Sequence, residues 1–415
     1  MKVHLASLGC RLNRSEVERM ARQFAAAGHT VVDDPRQADV CLVNTCAVTA
    51  TAERKSRHLL SALHRANPSA RLAAVGCYAT LAPDRLSAMP GVAWVVSNAD
   101  KEQAVATVMA GEPSAAGGER PRLHTRAFVK VQDGCDRQCA YCVIPALRGA
   151  PRSRPFQAIL DEVQALVAEG YQEAVLSGVN LGLYGRDLGL KRGLADLVEA
   201  LLAETELARL RLSSLEPWDL TGDLVGLWAD PRLCRQLHLP LQSGCDETLQ
   251  RMGRLIGAEE YAARVAMVRA VAPDLAVTTD VIVGFPGEDE RAFVESLSFV
   301  ERMGFAKVHV FPFSPRPGTP AARMEGEVPA SVLRERAARM RETGARLAGA
   351  FRRRFLGREV MVLWEQRGSD RLWRGLSDNG LRVVTMVDGD SLHNRITLAR
   401  PVAERGEELM AEVVG

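Results

Sequence analysis

The sequence predicts an α/β protein in three parts: an open parallel sheet covered by helices, a partial (β/α)6 barrel, and a small antiparallel β-barrel. Three observations carry this. Apolar strand-like runs alternate with helix-periodic stretches through residues 1–111, and again from residue 127 to a long helix ending near 356. The second series holds six such repeats, too few for a complete eightfold barrel. Beyond residue 357 the period shortens to five brief strands separated by turn residues, as in a small closed barrel.

Val3–Leu8 opens the chain as an apolar strand. Asn13 and Glu16 resemble a capping box, and Val17, Met20, Ala21 and Phe24 then repeat at helical spacing until Gly28 stops the helix. Val40–Val43, Leu72–Val75 and Ala93–Val96 read as further strands, with a helix over Ala52–Ala66. Residues 112–126 are a linker by composition. Strands follow at 127–132, 173–177, 209–213, 236–241, 276–283 and 306–311. Ile159, Leu160, Val163, Leu166 and Val167 form one helix face, ended by Gly170. An arginine-rich helix at 329–356 leads to strands at Val360–Trp364, Leu372–Leu376, Leu381–Val387, Arg395–Leu398 and Leu409–Val414. The domains expected are therefore 1–111, 127–356 and 357–415.

Of 415 residues, 47% are hydrophobic and 25% charged, which excludes a disordered chain, and no apolar run is long enough to span a membrane. Leu8-Gly9-Cys10 looks superficially like a lipoprotein cleavage site, but the stretch before it is too short for a signal peptide. The expected location is cytoplasmic. The net charge of +2 conceals two basic segments: residues 120–154 hold eight Lys/Arg against two Asp, and residues 331–360 hold nine Arg against three Glu. Such segments suit a locally anionic partner such as RNA, or the solvated face of a helix.

Nine cysteines are too few for a disulfide scaffold. Three of them, Cys135, Cys139 and Cys142, fall in Gln132-Asp-Gly-Cys-Asp-Arg-Gln-Cys-Ala-Tyr-Cys-Val, directly after the first strand of the second series. Thiolates are the usual ligands of iron–sulfur clusters, and three on a four-iron cluster leave one iron open for chemistry. A structural zinc site would want four ligands, and the loop holds no fourth Cys or His. A loop that follows a barrel strand belongs at the strand-end face, where such barrels carry active sites. Cys10, Cys46 and Cys77 each follow a strand of the first series, so a parallel sheet would bring them to one edge. Three unrelated buried thiols would show the same spacing. Cys41, Cys234 and Cys245 have no ligand-like partner at short spacing and read as packing residues.

The Cys135/Cys139/Cys142 loop, with Tyr141 before its last cysteine, resembles the radical S-adenosylmethionine superfamily. Along the whole chain the sequence is similar to the methylthiotransferases. The N-terminal matches are Leu8-Gly-Cys-Arg-Leu-Asn, Val43-Asn-Thr-Cys-Ala-Val-Thr and Val75-Gly-Cys-Tyr. The central matches are Ser177-Gly-Val-Asn-Leu-Gly-Leu-Tyr-Gly, Ser213-Ser-Leu-Glu-Pro, His238-Leu-Pro-Leu-Gln-Ser-Gly, Thr279-Asp-Val-Ile-Val-Gly-Phe-Pro-Gly-Glu and Phe313-Ser-Pro-Arg-Pro-Gly-Thr-Pro. The tail matches an RNA-binding TRAM domain loosely. Arg54-Lys-Ser-Arg, Ile144-Pro-Ala-Leu-Arg-Gly and Arg152-Ser-Arg resemble the branch acting on N6-threonylcarbamoyladenosine in tRNA. The Arg-Glu-Lys series of the isopentenyladenosine branch is absent after Cys46. Arg11-Leu12-Asn13 replaces the Pro-Lys-Asn of the branch acting on a ribosomal protein.

The resemblance implies two 4Fe–4S clusters, one on Cys135, Cys139 and Cys142 and a second on Cys10, Cys46 and Cys77, together with S-adenosylmethionine. It implies addition of a methylthio group to the C2 carbon of the modified adenine beside the anticodon. Tyr141 and the strand-end residues Ser177, Glu216, Gln242 and Asp280 are candidates for holding S-adenosylmethionine, although any polar strand-end residue can instead satisfy buried backbone. The implied partners are a tRNA anticodon stem-loop, an electron donor such as flavodoxin or ferredoxin, and a sulfur donor. The competing readings are the same chemistry on isopentenyladenosine or a ribosomal protein, and a non-catalytic metal-bound RNA-binding protein.

Overall fold

The computed structural model describes residues 1–110, 122–387 and 391–414. The first part runs β1 (Lys2–Ser7), α1 (Arg11–Ala26), β2 (Thr30–Val31), β3 (Val40–Thr45), α2 (Ala50–Ala66), β4 (Arg71–Gly76), α3 (Cys77–Leu81), α4 (Pro83–Ser87), β5 (Val92–Val96) and α5 (Ala104–Met109). Its sheet is parallel throughout, in the order β2-β1-β3-β4-β5. Every residue of β3 is buried, because helices cover both faces. Val40 and Leu42 pack with Phe24 and Val105 on one side, and Cys41 and Val43 with Leu60 and Leu72 on the other. The expected strands and helices are present, and the short β2 was not anticipated. The expected capping box is not present. Cys10 stands in extended conformation at the N-cap of α1 with no side-chain cap, and Asn13 and Glu16 lie buried inside the helix. Their polar groups are satisfied by other elements, described below.

The central part runs β6 (Ala127–Lys130), β7 (Gln132–Asp133), α6 (Ile144–Arg148), β8 (Arg152–Ser153), α7 (Phe156–Ala168), β9 (Glu173–Ser177), α8 (Leu194–Glu204), β10 (Arg209–Leu212), α9 (Gly222–Gly226), β11 (Gln236–His238), α10 (Asp246–Arg251), α11 (Ala258–Val271), β12 (Ala276–Val283), α12 (Glu290–Met303), β13 (Lys307–Pro312) and α13 (Ala330–Arg353). The six strands β6, β9, β10, β11, β12 and β13 form two parallel ladders, joined by bridges at Leu210–Leu233 and Ser214–His238. This is the partial barrel, open between β6 and β13. Ala127 and Val129 join Ile159, Leu160 and Val163 in the core between strands and helices. Period-2 alternation turns Phe128 and Lys130 to the other face, and α1 lies along the free edge of β6. The Phe128 amide donates to Glu18 Oε2 at 3.1 Å, and the Arg14 guanidinium lies 5.9 Å from the Phe128 ring centre.

The last part is β14 (Val360–Arg367), β15 (Trp373–Ser377), β16 (Arg382–Thr385), β17 (Ile396–Arg405) and β18 (Glu408–Val414). These strands close in the order β14-β15-β16-β18-β17 around Val362, Trp364, Val383 and Leu409. Four of the pairings are antiparallel, and β16 with β18 is parallel. The turn after β15 closes the strand-start end of the central barrel. Buried Arg211 donates to the carbonyls of Ser377 (3.1 Å) and Asp378 (2.9 Å) and to Glu173 Oε1 (2.6 Å). Arg209 donates to the carbonyls of Met361 and Leu376, and Arg235 to the Asp378 carboxylate.

Most of the expected linker lies outside the described residues. The two basic segments are largely neutralised from elsewhere in the fold. Arg126 pairs with Glu365, Arg148 with Glu16 and Asp133, and Arg154 with Glu162. Arg336 and Arg339 pair with Glu290, and Arg354 and Arg358 with Asp274. Their local charge excess is therefore not a free cationic surface, because partners distant in sequence were invisible to a count along the chain. Among the described residues no helix is long and apolar enough to cross a membrane.

Replacing Arg211 by Ala would leave the fully buried Glu173 carboxylate with only its longer contacts to Arg126 and Arg209. The expected cost is about 3 kcal/mol, read as a lower urea midpoint for the C-terminal barrel. An unchanged midpoint would show that Arg211 does not anchor it.

Candidate active site

The Cys135–Cys142 loop leaves β6 and is pinned on three sides. Gln132 spans its root: Nε2 donates to the carbonyls of Asp133 and Gly134, and Oε1 accepts from the amides of Val179 and Asn180. The Cys135 amide donates to Gly149 O at 3.0 Å. The Ala140 amide donates to Met252 O at 2.9 Å, and Ala140 O accepts from the Ala321 amide at 2.8 Å. Gly134 needs to be glycine, since its φ is +74° and the Ala150 carbonyl fills the space of a side chain.

The sulfurs are prepared as acceptors. The Arg137 amide lies 3.5 Å from Cys135 Sγ, and the Ile144 amide bonds Cys142. Burial pushes the Cys142 thiol up to about 12, and the charges of Cys139 and Cys135 add to this. Such a trio ionises together only if a cation offsets the repulsion, which suits an iron–sulfur cluster.

Beside the loop is a cleft of about 280 Å³ lined by Arg137, Gln138, Cys139, Trp218, Gly253 and Leu255. Three buried polar atoms on Arg137, Trp218 and the neighbouring Arg254 have no hydrogen-bond partner among the described residues: Arg137 Nε, Trp218 Nε1 and Arg254 Nη1. Arg254 lies 4.4 Å from the Trp218 ring centre and donates to Glu216 Oε2 at 2.7 Å. Buried donors left unpaired beside a cleft fit an acceptor group on a ligand, such as a carboxylate.

The predicted ligand-holding residues divide. Glu216 faces this cleft through Arg254. Tyr141 is half-buried against the cluster of Ala140, Met252 and Phe285 beside the thiols. Burial raises its hydroxyl well above its ordinary pKa. Gln242 is buried at the strand ends with a φ of +75°, rare for a side-chain-bearing residue and typical of functional sites. Ser177 is buried, and its hydroxyl donates to Val175 O within its own strand. Asp280 is not at a strand end as expected. It lies within β12, where Oδ2 is 3.4 Å from His238 Nε2, and one ligand atom from each of His238, Asp280 and His309 falls within 4.8 Å of the others. Arg254, Trp218 and Arg137 were missed. The quoted stretch Ser213–Pro217 stops one residue before Trp218, and Arg254 is too distant along the chain to be linked with Glu216.

The second trio does converge. Cys10 precedes α1, Cys46 follows β3 and Cys77 opens α3, all at the strand-end edge. Cys10 is exposed, whereas Cys46 and Cys77 are buried. Burial pushes Cys46 up to about 11, with smaller contributions from Cys10 and Cys77. Gly9, with φ +101°, lets the chain pass: a Cβ there would lie 2.8 Å from Cys46 Sγ. The Val48 amide bonds Cys46, and Asn98 Nδ2 lies 3.4 Å from Cys77 Sγ.

The two trios are tied together. The same Asn98 Nδ2 donates to Leu147 O at 2.9 Å, on the helix that follows Cys142. Next in that helix, Arg148 donates to Asn13 Oδ1 (2.9 Å), Glu16 Oε1 (3.2 Å) and Asp133 Oδ1 (2.7 Å). Asn13 Oδ1 is 3.6 Å from Cys10 Sγ. Glu16 also receives Lys101 (2.8 Å), Lys130 (3.3 Å) and Asn44 (2.8 Å). Burial alone would raise the Glu16 carboxyl, but Lys101, Arg148 and Lys130 hold it well below the usual carboxylate range. Arg148 stood in a quoted motif with no role attached, and nothing in the sequence linked Asn98 or Lys101 to the cysteines.

Residues 2–97 match the family described as uncharacterized protein family UPF0004, and residues 129–300 match the radical SAM superfamily. A protein from Thermotoga maritima named threonylcarbamoyladenosine tRNA methylthiotransferase MtaB is 38% identical over 88% of this chain and 86% of its own. A tRNA-2-methylthio-N(6)-dimethylallyladenosine synthase from Novosphingobium aromaticivorans is 38% identical over 87% of this chain and 86% of its own. The fold is similar to that of the radical S-adenosylmethionine methyltransferase TsrM from Kitasatospora setae, with TM-score 0.57 and 15% identity over 77% of this chain and 73% of that one.

Replacing Glu16 by Gln should loosen the first part from the barrel at a cost of about 3 kcal/mol, seen as a lower melting temperature. Because the folded Glu16 pKa is depressed, its contribution is complete above the unfolded value near ~4.3 and is lost as pH falls below it. The variant should therefore lose less stability than the wild type on acidification through that window. Parallel losses would remove Glu16 from this role.

Proposed function

We propose, from the premise that the chain belongs to the methylthiotransferase family of radical S-adenosylmethionine enzymes, that it methylthiolates C2 of N6-threonylcarbamoyladenosine beside the anticodon of tRNA. Cys135, Cys139 and Cys142 hold one 4Fe–4S cluster in this reading, and Cys10, Cys46 and Cys77 hold the other. When bound, S-adenosylmethionine and the two clusters supply the radical, sulfur and methyl chemistry for a C–H bond that no base could ionise.

The protein's own work is binding, orientation and exclusion of water. Arg254 and Arg137 present guanidinium donors to the carboxylate of S-adenosylmethionine, and Glu216 faces its amino group. Trp218 lines the cleft, and Tyr141 packs against Ala140, Met252 and Phe285 beside the thiols. Asn98 and Arg148 fix the spacing between the two trios, so that one adenine edge meets both. That shared tie, Asn98 touching both Cys77 and the helix after Cys142, is the observation that carries the proposal. Residues 1–111 are assigned to the second cluster, 127–356 to the radical chemistry and 357–415 to RNA. Single-stranded loops are the favoured targets of selective RNA recognition, and a base edge must leave its stack to react. A cytoplasmic location and outside donors of electrons and sulfur complete the assignment.

Anaerobic reconstitution tests it. About eight irons and eight sulfides per chain are expected, with dithionite-dependent release of 5′-deoxyadenosine. Cys139→Ala should abolish that release. Cys46→Ala should keep it and stop sulfur insertion. A chain that binds zinc alone and releases no 5′-deoxyadenosine contradicts the proposal.

A further inference from the structure

The turn that leaves β13 touches both cysteine trios. At its far end the Ala321 amide donates to Ala140 O at 2.8 Å, inside the Cys135–Cys142 loop. At its near end buried Arg316 donates to Ala47 O at 2.9 Å, next to Cys46, and pairs with the Glu53 carboxylate. Thr319 sets the turn between them: its amide (3.1 Å) and its hydroxyl (2.8 Å) both donate to Arg316 O. Glu53 stands in the first turn of α2, and the same stretch of helix grips the second trio. The Ser56 hydroxyl accepts from the Cys46 amide at 3.1 Å and lies 3.1 Å from Cys46 O. Arg57 is 3.9 Å from Glu53 and donates to Tyr78 OH at 2.8 Å, beside Cys77. Two stretches singled out in the sequence, Arg54-Lys-Ser-Arg and Phe313-Ser-Pro-Arg-Pro-Gly-Thr-Pro, thus meet at Glu53, 263 positions from Arg316.

We propose that Arg316 is a positioning residue for sulfur insertion: it fixes the Cys46 side of the second trio against the Cys135 loop, and so governs how many radical events end in a methylthiolated base. The inference rests on the methylthiotransferase reading above. Arg148 ties the first part to the barrel on the β6 side of the opening, through Asn13 and Glu16. Arg316 ties it on the β13 side. One tie leaves the first part able to pivot; two ties, on opposite sides of the opening, fix its angle. The guanidinium fork lets one side chain hold a carbonyl and a carboxylate together. Arg316 Nε has no hydrogen-bond partner among the described residues, so the buried cation depends on Glu53 and Ala47 O. A small tilt of the second trio would part the reacting groups, whereas the cleft beside Cys139 is lined by the barrel alone and keeps its shape.

The test measures 5′-deoxyadenosine released per base methylthiolated, using reconstituted full chains and an anticodon stem-loop RNA that carries N6-threonylcarbamoyladenosine. Arg316→Gln should raise that ratio roughly 10- to 100-fold over wild type, because product falls further than radical formation. Arg316→Lys should reverse part of the rise, since one ammonium can still reach Glu53. In the same Arg316→Gln chain, hydrogen exchange should quicken at residues 46–57 and 313–321 and match wild type around Arg148. An unchanged ratio overturns the proposal, as does a parallel loss of 5′-deoxyadenosine and product, which would make Arg316 a merely structural residue. Should Arg316→Gln fail to fold or to retain iron, Glu53→Gln breaks the same tie from its other partner: a raised ratio there supports the proposal and an unchanged one overturns it. A wild type that releases 5′-deoxyadenosine but methylthiolates none of this RNA overturns the functional reading itself, whereas an unchanged ratio in a productive enzyme overturns only the role of Arg316.

Discussion

The buried Glu16 carboxylate is the interaction on which the arrangement of the molecule depends. It sits in α1 of the first part, receives Lys101 from the same part, and binds Lys130 of β6 and Arg148 of α6 in the second. Asp133 binds Lys130 and Arg148 as well, so cations and carboxylates form one closed network beside the thiol trio of Cys10, Cys46 and Cys77. The same contacts set the distance from that trio to the Cys135 loop, because Arg148 lies six residues after Cys142. Docking of the domains and construction of the site are one event, held by the same carboxylate.

The two ends of the central barrel are used differently. Parallel strands bring their C-terminal ends to one face, where the loop cysteines, Glu216, Arg254 and Gln242 gather. The strand-start end is stoppered by the turn at Ser377–Leu381, through Arg209, Arg211 and Arg235. A macromolecular substrate is left the strand-end face. Arginine dominates the basic residues, and most of it is engaged in joining parts of the fold. Planar guanidinium forks suit that task, since each can bind several carbonyls and carboxylates at once.

The fold was legible in the sequence wherever burial imposed a period. Val40–Val43, Val163 with Leu166, and the short strands after Val360 all announced themselves by spacing. The cysteines were legible because parallel topology sends each strand end to one edge, so Cys10, Cys46 and Cys77 could be brought together without knowing a single contact. Polar residues in the interior were not. Asn13 and Glu16 looked like a cap because a local rule was available, whereas their partners in other elements lie 28 to 135 positions away. Arg254 and Glu216 form a pair across 38 positions. Asp280 was taken for a strand-end group, but β12 continues three residues beyond it and His238 becomes its partner. Tertiary pairing of unlike charges also hid in the two basic segments, whose excess disappears once the chain is folded.

The central claim is that two cysteine sites share one substrate, a threonylcarbamoylated adenine in tRNA. Mass spectrometry of tRNA nucleosides from a strain lacking this protein tests it most directly. The account predicts loss of the methylthio form of threonylcarbamoyladenosine, with the unmethylthiolated base accumulating and the methylthio isopentenyl form unchanged. Loss of the isopentenyl form instead, or a nucleoside profile identical to the parent strain, would contradict it.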